Sequence, residues 1–85
     1  MSILSDAVRE IGFLQNQLRD QEMIVNSFLK SNADQMRMVR EGLQGSQRGH
    51  DQRMLSVLQE AEDALKKSLE QIRQASEALA RVQMV

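Results

Sequence analysis

Apolar side chains recur along the first half of the chain at a spacing that a helix gathers onto one face. Leu4, Ile11, Leu18, Val25, Asn32 and Val39 follow one another at intervals of seven, and Val8, Leu29, Met36 and Leu43 fill the companion positions. Gln15 and Glu22 are polar interruptions of that second row. The period predicts one helix over about residues 3–43, much longer than an ordinary globular helix. Its weakest stretch is "SNAD", Ser31 to Asp34, whose short polar side chains compete for backbone hydrogen bonds. The apolar register passes through it unshifted, so the helix is expected to be continuous. Asn32 either fixes the pairing register on this seam or is solvated at a local flaw.

The second half repeats the design. Leu58, Leu65, Ile72 and Leu79 form one row, and Met54, Ala61, Ser68, Ala75 and Val82 read as its partner row. A second helix is expected over about residues 50–83. Glu62 with Lys66, Asp63 with Lys67, and Glu77 with Arg81 are i,i+4 pairs in the favoured orientation on a solvated face.

Between the two patterns lies "EGLQGSQRGHDQ", which holds three of the chain's four glycines, Gly42, Gly45 and Gly49. Glycine costs about 1 kcal/mol in a helix interior, so the cluster marks a break. Ser46 and Asp51 are candidate N-caps of the second helix, and the bend is expected over about residues 44–49. Gly45 or Gly49 is expected to adopt a backbone conformation unfavourable for a side chain. The fold class that follows is all-α: one domain spanning the chain, an antiparallel, coiled-coil-like two-helix hairpin with arms of roughly 55–60 Å. A ligand loop is the competing reading of the glycines. Arg48 and His50 are the only cations there and no strand precedes them, which does not suit a phosphate loop; His50 reads as a solvated turn residue.

One feature exceeds what a hairpin needs. At about 100° per residue, Phe13, Ile24 and Phe28 fall roughly 80–140° from the stripe centred on Leu18. Phe13 and Phe28 are the only aromatic residues of the chain. A two-helix hairpin covers one stripe, so this strip is expected to be a partner interface, pairing two hairpins into a four-helix bundle dimer.

Composition narrows the function. The chain has 85 residues, no Cys, no Pro and one His, so disulfides and structural zinc are not available to staple a small core. A partner chain is the remaining way to bury more surface. The net charge of −1 and the near absence of aromatics argue against nucleic-acid binding. No stretch approaches the roughly 20 apolar residues of a membrane span, and the start "MSILSDAVRE" lacks a signal-peptide core. Synthesis in the cytoplasm is expected, with export lacking a cleaved signal left open. The acids are spread along charged faces and the serines along helical ones, so no catalytic constellation, metal site or cofactor is expected. The methionines read as adaptable packing.

The run "LKSNADQMRMVREGLQGSQRG", Leu29 to Gly49, resembles the approach to the bend in the Trp-x-Gly family, the small ESX substrates of type VII secretion, in its culture-filtrate-antigen branch. There a Leu-Gln-Gly precedes a Trp-Arg-Gly; here Leu43, Gln44 and Gly45 precede Gln47, Arg48 and Gly49. Gln47 stands in place of the hallmark Trp, and the family's C-terminal Tyr-x-x-x-Asp/Glu export signature has no match in Leu79 to Gln83. The resemblance implies a helical hairpin that pairs as an antiparallel homodimer or heterodimer and meets secretion machinery. It implies a secretion substrate, or the unsigned partner of a signed one. Two alternatives differ in class. One is a filament subunit like type III needle proteins, whose bends typically contain the Pro this chain lacks. The other is a coiled-coil adapter or chaperone.

Overall fold

In a computed structural model, which describes residues 2–43 and 49–83, the chain is an all-α hairpin of two helices: α1, Ile3–Leu43, and α2, Gly49–Gln83. Ser2 caps α1. Its Oγ accepts a hydrogen bond from the Ser5 backbone N–H at 3.1 Å, and Asp6 adds negative charge to the first turn. Arg40 and Arg81 lie in the last turns of α1 and α2, where a cation meets the negative end of the helix dipole. α1 runs unbroken through Ser31 to Asp34. The bend residues Gly45, Ser46, Gln47 and Arg48, and the side chains of Leu43, His50 and Asp51, lie outside the described residues. Gly49, expected in the bend, instead opens α2 without a positive φ, which leaves the expected unfavourable conformation to Gly45.

The helices are antiparallel, since rising numbers on one meet falling numbers on the other. Asn32 faces Leu58, Glu22 faces Arg73, and Leu18 lies at the level of Ala75. The result is a rod, 67 × 15 × 14 Å, with a radius of gyration of 19.4 Å. A compact chain of this length would have about 12 Å.

On α1 the seam matches the pattern from Ile11 onward, whereas Leu4 and Val8, the first members of the two rows, lie near the level where α2 ends and stay 74% and 49% exposed. Ile11, Leu18, Val25, Asn32 and Val39 alternate with Gln15, Glu22, Leu29 and Met36, and all are at least half-shielded by α2. On α2 the row Leu58, Leu65, Ile72 and Leu79 is shielded too, but its companion is Leu55, Glu62, Leu69 and Ser76. The expected companion row fails here: Met54, Ser68, Ala75 and Val82 are exposed, and of its members only Ala61 is shielded. Both candidate rows flank the Leu58 row at the same spacing, so periodicity does not choose between them. Size does. Along the middle of α2, Leu69 is buried where the other flank offers only Ala61, Ser68 and Ala75, and the larger Met54 and Val82 lie at that flank's two ends and stay exposed.

The core is thin. Among the described residues only Met36 and Leu69, at 4% and 9% exposure, count as buried. Asn32 resolves its two readings in favour of register: its Nδ2 donates to the Leu58 carbonyl oxygen at 2.9 Å, across the seam. A polar residue in an apolar seam exchanges stability for a defined register. Asn32→Leu is therefore expected to raise the melting temperature, by an amount equivalent to about 1 kcal/mol, and to broaden the distribution of assembled species. Circular-dichroism melts paired with sedimentation velocity would check both; a lower melting temperature would contradict the account.

Candidate interaction face

Most of the large apolar residues beyond the seam lie on one side of each helix, with Met23, 67% exposed, the exception on α1, so the hairpin has two unlike long faces. On one of them the helix-to-helix valley opens as two shallow grooves in line. The first is walled by Phe28, Ser31 and Gln35 on α1 and by Ala61 and Ala64 on α2, with Asn32 and Leu65 in its floor. The second continues it away from the bend, with Gln21 and Ile24 on one wall, Ser68, Gln71 and Ala75 on the other, and Leu18, Val25 and Ile72 between. Phe28 is 57% exposed and Ile24 53% exposed, both on the α1 wall.

The opposite face is polar. Gln15, Arg19, Glu22 and Ser76 lie together there, and Arg73 Nε meets Glu22 Oε1 at 3.5 Å across the helices. Lys66 reaches Glu62 at 4.0 Å along α2, while Asp63 accepts a hydrogen bond from Gln59 at 3.1 Å. Among the described residues Asp63 with Lys67 and Glu77 with Arg81 do not close to ion-pair distance. Such exposed pairs each contribute only about 0–1 kcal/mol. Substituting Arg19 by Gln is accordingly expected to move the melting temperature by no more than about 2 °C. A larger drop in a thermal melt would mean that the polar face carries stability this account assigns to the seam.

The structure brings Ile24 and Phe28 together on the grooved face and separates Phe13 from them. Phe13, 63% exposed, lies on the outer edge of α1 in a depression shared with Arg9, Glu10, Leu14 and Gln17. Leu14 and Met38 join the apolar face, fourteen residues from Phe28 and Ile24 respectively and so on the same helical lines. On α2, the row Met54, Ala61, Ser68, Ala75 and Val82 belongs to this face.

Among the described residues no group of three or more His, Asp or Glu side chains is placed to hold a metal ion, and no helix is long and apolar enough to cross a membrane. The bend motif, Leu43, Gly45, Gln47 and Gly49, adds no described side chain to a site. No family model, no curated protein and no solved structure matches the chain.

Proposed function

We propose that this chain is a non-enzymatic pairing module, a helical hairpin whose work is to dock its apolar face on another helical hairpin and form a four-helix bundle. The observation that carries this reading is the mismatch between a thin core and a long exposed apolar face. The chain exposes 6838 Å², where a globular protein of its 9.7 kDa exposes about 5,100 Å². Covering the grooved face would remove much of that excess.

Within this class, the run from Leu43 to Gly49 supports a type VII secretion substrate or its dimer partner, and that finer reading rests on the sequence resemblance. Sedimentation velocity over a hundredfold range of concentration tests the pairing. A discrete two-hairpin species supports it; open-ended growth into filaments favours the needle-like alternative, and a single-chain species at every concentration, alone and with related hairpins, removes it. Expression beside a type VII export apparatus tests the finer reading, with the chain expected in the medium only while the apparatus is intact.

A further inference from the structure

We infer that the occupant of the grooved face is a second copy of this chain, docked so that α1 of each copy lies on α2 of the other and both bends are at the same end. This rests on the pairing reading above and adds the partner and its orientation. Three observations carry it.

The first is extent. The exposed apolar residues of the face run from Leu14 to Met38 on α1 and from Met54 to Val82 on α2, roughly 36–42 Å at 1.5 Å per residue, and one long side of a second 67 × 15 Å rod spans them all. A like-sized hairpin therefore suffices to cover it.

The second is side-chain size. Two copies meeting face to face have two symmetric arrangements. A two-fold axis along the rod sets α1 on the partner's α2, whereas an axis across the rod sets α1 on α1 and α2 on α2. Over the middle of the face the α1 wall carries the bulky Phe28 and Ile24 and the α2 wall the small Ala61, Ala64, Ser68 and Ala75, with the larger Met54 and Val82 only at its two ends. Bulky against small interdigitates; bulky against bulky holds the first pair of helices apart.

The third is charge along the rims. The outer edge of α1 carries Asp6, Asp20, Asp34 and Glu41, all exposed and all on one helical line. The matching edge of α2 carries Arg53, Lys67 and Arg81, with Glu60 its one acid. With the axis along the rod, each acidic rim borders a basic one on both sides of the bundle. With the axis across it, acid borders acid and base borders base, which costs affinity and slows encounter. Size and charge select the same arrangement, and it differs from the antiparallel pairing that the Trp-x-Gly resemblance implies.

The chain has no native cysteine, so a single label site is available without background. Gln52→Cys places a spin label on an exposed position in the first turns of α2, away from the grooved face. In the labelled dimer, the electron–electron distance between copies is expected at about 25–35 Å, set by the width of a four-helix bundle. A distance of about 50 Å or more would put the bends at opposite ends and overturn the arrangement while leaving pairing intact. A labelled chain that stays monomeric alone but pairs with a different hairpin overturns the second copy as occupant. One that pairs with nothing overturns the pairing reading itself.

Discussion

Replacing Ile24 and Phe28 together with serine is expected to weaken association about a hundredfold or more. Each side chain is roughly half exposed in the single hairpin, at 53% and 57%, so each has about half of its burial left to gain from a partner. Half of a full burial is about 0.8–1.5 kcal/mol, and a dimer of two copies loses four such side chains, so the loss is about 3–6 kcal/mol, or about two to four factors of ten in the dissociation constant. Sedimentation of the double variant should show the two-hairpin species only at correspondingly higher concentration. The seam is untouched, so helicity should return as association is restored. Arg19→Gln on the polar face serves as the control and should leave the dissociation constant within about twofold. Equal weakening by the control, or no weakening by the double variant, would take the grooved face out of the interface.

The second large effect is inside the hairpin. Leu69→Ala removes the best-buried side chain of α2, 9% exposed. Leucine-to-alanine changes at buried sites cost about 2–5 kcal/mol, and a site in so thin a core should fall near the lower end. For a chain of this size that corresponds to a drop of roughly 10–15 °C in melting temperature. The neighbouring Ser68→Ala should change it by no more than about 2 °C, because Ser68 is exposed in the hairpin and gains helix propensity on substitution. If the row containing Ser68 were the seam, Met54→Ala would instead destabilise the hairpin as much as Leu69→Ala does. Met54 also lies on the pairing face, so thermal melts of these three variants in the Ile24→Ser/Phe28→Ser background, where pairing is weakened, decide which flank of the Leu58 row holds the hairpin closed.

Most of the fold was legible because heptad spacing is a direct consequence of helix geometry. On α1 the flank with Val8, Leu29, Met36 and Leu43 holds four apolar residues and the flank with Ala7, Leu14 and Phe28 holds three, so the spacing selects the first by a narrow margin. On α2 both flanks carry apolar residues at equal spacing. Counting apolar residues favoured Met54, Ala61, Ala75 and Val82, whereas the hairpin uses the fewer but larger Leu55 and Leu69. Pattern reading weights residues by class, and packing weights them by volume and reach.

The same ambiguity hides part of the grooved face in the sequence. Ile24 and Phe28 stood out as apolar residues off the α1 seam. Their counterpart wall on α2 had already been assigned to the seam, so the face looked like a strip on one helix rather than a valley between two. Phe13 was grouped with them by angle alone. The structure places it one line further out, on the edge that also carries Asp6 and Asp20. Asn32 could not be settled from spacing, because its role depends on a carbonyl twenty-six residues away in the sequence, at Leu58.

The central claim is that this hairpin gains its stability by pairing, and the concentration dependence of its melting temperature tests that most directly. A protein whose folded state is a dimer is stabilised by mass action. For two chains of this length, raising the concentration from about 1 µM to about 100 µM should lift the melting temperature by about 8 °C. The grooved-face variant Ile24→Ser/Phe28→Ser should melt lower than the parent at every concentration. A melting temperature that stays constant within about 1 °C over that range, with a sedimenting mass of one chain throughout, would mean that two helices with two buried side chains are sufficient on their own. That result would contradict the account.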